Sequence, residues 1–162
     1  MNLNIIYDAN SHIDSPVGVI NLFARGNKLV GLTMGGEAQQ AAGKASVLIE
    51  AGKQLTEYFD GKRKTFKLDY ELDGTEFQKS VWREIESIGF GETLTYADIA
   101  ARIGKPLAAR AVGGAVGANP LALIVPCHRV LGASGRITGY SGGDGLPTKR
   151  TLLQLENIDS KP

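Results

Sequence analysis

The hydrophobic and polar pattern of the first 72 residues predicts a β-sheet with one helix packed against it. Three short stretches rich in apolar residues are predicted strands: 3–7, 17–24 and 28–34. The tripeptide Arg25-Gly26-Asn27 lies between the last two stretches and predicts a hairpin turn. The small and polar residues of 35–43 are predicted to form a loop.

A helix and a further strand are predicted to complete this half of the chain. Residues 45–59 carry apolar side chains at the spacing of a helix with one buried face, and Gly61 is a natural end for it. Apolar and polar residues then alternate over 65–72, which predicts a half-buried strand. We find no catalytic constellation here. His12 lies near a serine and an aspartate, but a solvated loop histidine is a better interpretation than a triad.

The second half of the chain is predicted to be mainly helical. Thr75 and Gln78 have the spacing of a capping box and precede a stripe of apolar residues that predicts a buried helix. Thr95 is the predicted cap of a second, short helix. Two short helices joined by a tight turn are thus expected over 96–103 and 107–118. This arrangement predicts a helix-turn-helix.

The composition of the third predicted helix is unusual, because it is made almost entirely of alanine, valine and glycine. Glycine is a poor helix former, so three glycines in one helix indicate that something approaches the backbone closely. One interpretation is tight packing against another helix of the chain. The other is a smooth helix pressed into the minor groove of DNA, with Arg110 as its one long cationic side chain.

The sequence around Cys127 is the strongest candidate for chemistry. The apolar run 121–125 predicts a short buried strand, and the pentapeptide Pro126-Cys127-His128-Arg129-Val130 follows it directly. A lone cysteine is often a small buried hydrophobe. Two polar, potentially cationic side chains directly after a buried strand would be costly without a task, and a neighbouring base makes a thiolate more available.

A glycine-rich loop and a final helix are predicted after the pentapeptide. The loop spans 138–143 and includes an aromatic residue and a hydroxyl that could line a planar pocket. Thr148 is the predicted cap of the last helix, which turns its leucines inward and places Glu156 near the end of its apolar face. A carboxylate in that position needs a partner, and His128 is the obvious candidate. Cys127, His128 and Glu156 would then form a nucleophile, base and orienter.

Composition narrows the possible functions. The 162 residues are 43% hydrophobic and 22% charged, as in an ordinary soluble globular protein, and no apolar run is long enough to span a membrane. One cysteine and two histidines exclude an internal disulfide and a cysteine-rich zinc site, and they indicate a reducing, cytoplasmic setting. Residues 93–150 contain seven lysines and arginines against two aspartates. This basic excess around Cys127 suits a polyanionic partner.

Several motifs together resemble the O6-alkylguanine-DNA alkyltransferase family. They are Pro-Cys-His-Arg-Val, the preceding Arg110-Ala-Val-Gly-Gly and Asn119-Pro120, and the following Gly139-Tyr140-Ser-Gly-Gly. The resemblance covers about residues 75–157, and residues 1–72 fit the variable N-terminal domain of that family. It implies an α+β fold, with a small N-terminal α/β domain over 1–73. A mainly helical C-terminal domain over 74–162 would carry the helix-turn-helix and a short active-site strand.

The function that this resemblance implies is DNA repair by direct reversal. The protein would bind double-stranded DNA through the minor groove, flip an O6-alkylguanine out of the stack and transfer the alkyl group irreversibly to Cys127. The protein would act once, as a monomer, in the cytoplasm or on the nucleoid. No cofactor and no metal are expected. Whether O4-alkylthymine is also a substrate stays open.

The resemblance also implies a role for each site residue. Cys127 is the nucleophile, His128 is a base acting through a water, and Glu156 orients His128. Tyr96 stabilises the developing guanine anion, and Asn119 holds the turn between helix and active-site segment.

Other residues are implied in binding DNA and the flipped base. Arg110 would fill the gap left by that base. The remaining DNA contacts are expected at Thr95, Ala109, Ala111, Gly113 and Gly114. The base pocket is expected to be lined by Val130, Tyr140 and Ser141.

Three rival functions compete with this one. A Cys-His-Glu hydrolase would turn over and keep a free Cys127, and it would need an oxyanion hole. A non-catalytic DNA-damage sensor on the same fold would lack the cysteine. A helix-turn-helix regulator would need a dimerisation element, and none is evident in the sequence.

Overall fold

The N-terminal half is a three-stranded antiparallel sheet with one helix against it. The structure is a computed structural model that describes residues 4–161. The strands pair in the order β1-β2-β3. They are β1 (Ala9–Ser15), β2 (Gly18–Arg25) and β3 (Lys28–Met34), and the helix is α1 (Ser46–Phe59). The predictions of β2, β3, the hairpin between them and α1 are confirmed.

The first strand lies later in the chain than predicted. Residue 3 of the predicted strand 3–7 is outside the described residues, and residues 4–7 have no regular structure. The strand is β1 instead, and it places His12 opposite Asn21 of β2 with its side chain exposed. The prediction of a loop at His12 is therefore wrong. The side chains of β1 are too polar to show an apolar alternation. The strand is therefore recognised only by its backbone pairing with β2.

The predicted strand over 65–72 is also wrong as a strand, although its burial pattern is right. Tyr70 forms a single bridge to Leu29, whose backbone N–H donates to the Asp69 carbonyl and whose carbonyl accepts from the Glu71 N–H, both at 2.9 Å. The alternating apolar side chains of this stretch are half-buried against the core. The pairing of this stretch stops at that one bridge, so no continuous ladder forms.

The C-terminal half is mainly helical, as predicted. Its helices are α2 (Glu76–Glu86), α3 (Tyr96–Arg102), α4 (Ala109–Gly117) and α5 (Leu146–Leu155). Both predicted caps are present as full capping boxes, Thr75 with Gln78 and Thr95 with Asp98. Two short strands, β4 (Leu94–Thr95) and β5 (Val130–Leu131), pair in parallel, and β4 was not predicted.

The segment before the cysteine is not the predicted strand. Residues 121–125 form a tight turn, in which the Val125 N–H donates to the Leu121 carbonyl at 2.8 Å and Leu123 has a φ of 75°. A continuous apolar run gives no periodicity from which to tell a strand from a turn. Cys127–Arg129 form one turn of 3₁₀ helix, so the short strand β5 follows the cysteine and does not precede it.

The start of the last helix also differs from the prediction. Gly145 is the N-cap of α5, and Thr148 lies within the first turn of that helix. The Thr148 hydroxyl accepts a hydrogen bond from the Asp144 N–H at 2.9 Å. Thr148 therefore fixes the loop that leads into α5 and is not its cap.

The two halves share one hydrophobic core. A single cluster of buried side chains runs from the sheet through α1 and α2 to α4 and α5. Trp82 on α2 is fully buried within it, and its indole N–H donates to the Ala115 carbonyl of α4 at 2.9 Å. This contact fixes α4 against the core. Among the helices of residues 4–161, none has both the length and the apolar character that a membrane crossing requires.

Candidate active site and nucleic-acid interface

Cys127 lies at one wall of a cavity between α3, α4 and the glycine-rich loop. The residue is 6% exposed, and the cavity has a volume of about 310 Å³. Its other lining residues are Tyr96, Gly113, Val116, Gly117, Gly139, Tyr140 and Ser141. The cavity opens beside α4. A small planar molecule that enters the cavity beside α4 can therefore reach the sulfur.

Asn119 holds the turn that carries the cysteine. Its amide donates to the Val125 carbonyl at 2.8 Å, and its side-chain oxygen accepts from the Leu121 N–H at 3.0 Å. Both bonds are buried, and they tie the end of α4 to the segment that leads to Cys127. The role expected for Asn119 agrees with this geometry.

His128 and Glu156 are in direct contact in the protein interior. His128 Nε2 lies 2.5 Å from Glu156 Oε2, and both side chains are almost fully buried. The ionised carboxylate only accepts hydrogen bonds, so we assign the ring proton to Nε2. Nδ1 is also buried and has no hydrogen-bond partner within residues 4–161. Nδ1 is therefore the nitrogen on which His128 can accept a proton.

Glu156 receives hydrogen bonds from three further groups. Arg129 Nε donates to Oε1 at 2.7 Å and Arg129 Nη2 to Oε2 at 3.2 Å. The Tyr58 hydroxyl donates to Oε2 at 2.6 Å, and the Gly91 N–H to Oε1 at 3.3 Å. Both oxygens of the carboxylate are thus hydrogen-bonded within the protein, and the side chain has no exposed surface.

These contacts set the charge states of the pair. Burial alone would raise the pKa of Glu156, but His128, Arg129 and Tyr58 outweigh burial and bring that pKa down to about 2. Burial lowers the pKa of His128, the positive charges of Arg129 and Lys149 lower it further, and Glu156 opposes them. The resting pair is therefore a neutral imidazole beside a carboxylate.

The thiol is protonated at rest. Burial raises the pKa of Cys127, and a hydrogen bond from Asn119, the charge of Lys149 and the hydroxyl of Tyr140 reduce that rise only in part. The Tyr140 hydroxyl is buried and has no hydrogen bond of normal geometry within residues 4–161. It lies close enough to the Cys127 sulfur for each group to shift the pKa of the other. A base is needed to make the thiolate.

Lys149 is a buried cation that sequence reasoning missed. It is fully buried, and its Nζ donates to the carbonyls of Val130 at 2.6 Å, Thr138 at 3.0 Å and Gly139 at 3.3 Å. Burial lowers the pKa of Lys149 to about 8, and the negative charge of the Cys127 thiolate acts in the opposite direction. Lys149 thus ties the glycine-rich loop to the active-site turn and brings a positive charge to the thiol.

The expected pocket residues are only partly brought together. Tyr96, Tyr140 and Ser141 line the cavity. The Tyr96 hydroxyl donates to the Thr138 carbonyl at 3.2 Å, and the Ser141 hydroxyl donates to the Gly117 carbonyl at 3.2 Å. Val130 does not line the cavity, because its side chain is fully buried in the core behind it and only its carbonyl serves the site, through Lys149.

The residues expected to contact DNA lie on and beside α4. Arg110, Ala111 and Gly114 are exposed, and Ala109 and Gly113 are half-exposed. Thr95 is the half-buried cap of α3, and its hydroxyl accepts from the Asp98 N–H at 3.0 Å. α4 thus turns a smooth face of alanine and glycine to solvent, with Arg110 in its first turn.

The glycines of α4 are not explained by packing within the chain. A Cβ atom added at Gly114 or Gly117 would meet nothing within 4 Å, and one added at Gly113 would meet only the Tyr96 ring at an ordinary 3.9 Å. The interpretation that these glycines allow tight helix packing is therefore wrong. The open space on this face leaves room for a partner that approaches the backbone.

Two family models match the chain and together cover most of it. The DNA binding domain of 6-O-methylguanine DNA methyltransferase matches residues 76–158, and the ribonuclease-like domain of the same protein matches residues 9–72. The chain belongs to the 6-O-methylguanine DNA methyltransferase family.

Several members of this family are similar to this chain. A methylated-DNA–protein-cysteine methyltransferase from Mycolicibacterium paratuberculosis is 45% identical over 91% of this chain and 92% of its own. One from Methanosarcina acetivorans is 54% identical over 66% of this chain and 67% of its own. Among solved structures, the crystal structure of Mycobacterium tuberculosis OGT in complex with DNA superposes on this one with a TM-score of 0.82. The sequence identity is 46%, and the superposition covers 91% of this chain and 91% of that chain.

Three site residues escaped prediction, for different reasons. Lys149 shares a helix face with Leu152, Leu153 and Glu156, so a lysine within an apolar stripe was a usable signal. Arg129 belongs to the motif, but the motif does not reveal that it binds Glu156. Tyr58 gave no signal, because an aromatic residue on the apolar face of a helix looks like ordinary core.

Proposed function

We propose that this protein repairs DNA by moving the alkyl group of O6-alkylguanine onto its own Cys127, once and irreversibly. The observation that carries the proposal is the position of the only cysteine. Its sulfur lies at the wall of a cavity that opens beside the glycine-rich face of α4, and the next residue, His128, is half of a buried imidazole–carboxylate pair. Nucleophile, base and orienter are thus present together.

Activation of the thiol requires a proton acceptor. Since Glu156 occupies Nε2 of His128, the thiol proton moves to Nδ1, with a water as the carrier. The imidazolium that forms is stabilised by the adjacent carboxylate, which stays ionised because its pKa is about 2. Lys149 and Asn119 both stabilise the resulting thiolate.

The transfer itself is a direct displacement at carbon. The thiolate sulfur bonds to the alkyl carbon, the bond from that carbon to O6 breaks, and its electron pair remains on guanine. Tyr96, which lines the cavity, turns its hydroxyl from the Thr138 carbonyl to the guanine anion and donates a hydrogen bond or a proton to it, and the proton held by His128 restores neutrality. The product is a thioether, which has no easy hydrolytic exit. One turnover per molecule follows.

The alkylated base must leave the duplex to reach the sulfur. Bases inside a duplex are inaccessible to such chemistry, and extrusion costs a few kcal/mol. The smooth face of α4 suits a minor groove, and Arg110 in its first turn has the length and charge to enter the stack. A similar protein was crystallised with DNA, which supports this partner.

The wider setting of the protein follows from this activity. We propose that it acts as a monomer without a cofactor, in the cytoplasm or on nucleoid DNA. The division into an N-terminal domain over 1–73 and a DNA-binding, alkyl-accepting domain over 74–162 belongs to the same proposal. The series Cys127, His128 and Glu156 would also suit a hydrolase, whereas the open face of α4 favours DNA.

A repair assay on duplex DNA with one O6-methylguanine tests the proposal. Excess DNA should yield one restored guanine per protein and then stop. Cys127→Ser should abolish repair but keep DNA binding, because an alcohol is a far weaker nucleophile at neutral pH. More than one guanine restored per protein would show a turnover enzyme and refute the proposal.

A further inference from the structure

Tyr58 joins the active-site pair from the other half of the chain. It lies on α1, 98 residues before Glu156, and its hydroxyl donates to Glu156 Oε2 at 2.6 Å. The same oxygen lies 2.5 Å from His128 Nε2. One carboxylate oxygen therefore has two short hydrogen bonds, one from the catalytic base and one from a tyrosine that does not touch the cavity.

The position of this hydroxyl is fixed by its surroundings. The Tyr58 side chain is 1% exposed, and its ring contacts Phe59, Phe66 and Phe90 at centroid distances of 5.2, 5.5 and 6.3 Å. Burial and then the charge of Glu156 raise the pKa of Tyr58 far above its ordinary value. Tyr58 is therefore a neutral donor at neutral pH.

We propose that Tyr58 is a positioning residue for alkyl transfer, whose hydroxyl shares Glu156 Oε2 with His128 and so limits the basicity of the imidazole. The kinetic part of this inference rests on the proposed function. The structural part, the coupling of Tyr58 to His128 through one oxygen, does not.

The physical reason is competition for negative charge. A carboxylate oxygen that accepts two short hydrogen bonds offers less charge to each donor than one that accepts a single bond. Without the Tyr58 hydroxyl, only His128 and the longer bond from Arg129 Nη2 at 3.2 Å would remain on Oε2. The imidazolium would then be better stabilised, so His128 would hold a proton more tightly.

Replacing Tyr58 by phenylalanine would leave the other charged and titratable groups around His128 in place. The charged and titratable groups that act on His128 or on its carboxylate are Arg129 in the same turn, Lys149 and Glu156 on α5 or at its end, and Tyr58 on α1. Cys127 directly precedes His128 in the chain. Replacing Tyr58 by phenylalanine keeps the ring and its three aromatic contacts. It removes one hydroxyl and alters none of the charges.

A nitrogen NMR titration without DNA tests the coupling directly. The chain has two histidines, and His12 is exposed on β1, so its signals serve as an internal reference. Tyr58→Phe should raise the protonation midpoint of His128 by about one pH unit, a tenfold change in proton affinity. The matched control is Tyr70→Phe, since Tyr70 also lies beside a carboxylate, Glu86, outside the site. It should leave His128 unchanged.

The single-turnover rate of methyl transfer gives a second readout. A His128 that is already protonated cannot accept the thiol proton, so Tyr58→Phe should move the acid limb of the pH–rate profile to higher pH by the same amount. A purely structural role for Tyr58 would lower the rate equally at all pH values. A ring-fluorinated tyrosine at position 58, a stronger donor, should move the midpoint the opposite way, and it keeps the six ring carbons and the hydroxyl.

An unchanged His128 midpoint in Tyr58→Phe, or an equal shift in Tyr70→Phe, would overturn the inference. If the midpoint shifts as expected but the unaltered protein transfers no methyl group, the coupling stands and the proposed function fails. The two ideas can therefore fail separately.

Discussion

The exposed glycine at the centre of α4 gives a prediction in which stability and function change in opposite directions. Gly114→Ala adds one methyl group at a position where no atom of the chain lies within 4 Å. Alanine is favoured over glycine inside a helix by about 1 kcal/mol. The variant should therefore be more stable, with a melting temperature higher by about 2–4 °C for a protein of this size.

The same methyl group should impair work on DNA. If the backbone of α4 lies against the minor groove, an added side chain overpacks that contact, at a cost of about 1–3 kcal/mol. Binding and repair of duplex DNA should weaken by a factor of roughly 5 to 150. Transfer from the free base O6-benzylguanine, which needs no groove contact, should keep its rate.

Calorimetry, DNA binding by fluorescence anisotropy and single-turnover rates on both substrates measure these effects. Gly117→Ala provides a second test on the same open face. A variant that is more stable and repairs duplex DNA at the normal rate would refute the placement of α4 against DNA. Loss of stability would mean that the packing around Gly114 has been misjudged.

Three further predictions concern single residues of the site. Arg110→Ala should slow repair of duplex DNA by about one to two orders of magnitude and leave transfer from O6-benzylguanine unchanged, because only the duplex requires base flipping; equal slowing on both substrates would make Arg110 part of the scaffold. Lys149→Met should slow transfer from both substrates, since it removes a charge that favours the Cys127 thiolate and leaves three carbonyls without their donor; a thiol titration should show a raised pKa. Stability should fall in acid, because the Glu156 pKa of about 2 lies below the ordinary 4.5, so its contribution is complete above pH 4.5 and is lost as the pH falls toward 2. The free energy of unfolding should fall by roughly 3 kcal/mol for this reason. Urea unfolding across that pH range should show this fall for the unaltered protein and should not show it for Glu156→Gln.

Much of the helical part of the fold could be predicted from local signals. The capping boxes at Thr75 and Thr95 mark helix starts, because the side chains that satisfy the first backbone N–H groups are close in sequence. The strands were less predictable. β1 carries mostly polar side chains and exists because β2 supplies its hydrogen bonds, which the residues of β1 alone do not reveal.

The sequence pattern paired His128 with Glu156, as the structure does, but it did not reveal the contacts that Tyr58, Arg129 and Lys149 make with the site. Cys127, His128 and Glu156 could be named because a cysteine, a base and a carboxylate each have a cost or a task in an apolar setting. The turn at Leu123 could not, because an all-apolar run carries no period. The bond from Tyr58 to Glu156 joins residues 98 positions apart and depends on how α1 packs on the rest of the chain. Only the three-dimensional structure shows it.

The central claim is that Cys127 itself becomes the product. Intact-protein mass spectrometry after mixing with excess O6-methylguanine duplex tests this most directly, followed by peptide mapping. Every molecule should gain the mass of one methyl group in place of a proton, located on the peptide that contains Cys127. Restored guanine together with an unmodified Cys127 would contradict it.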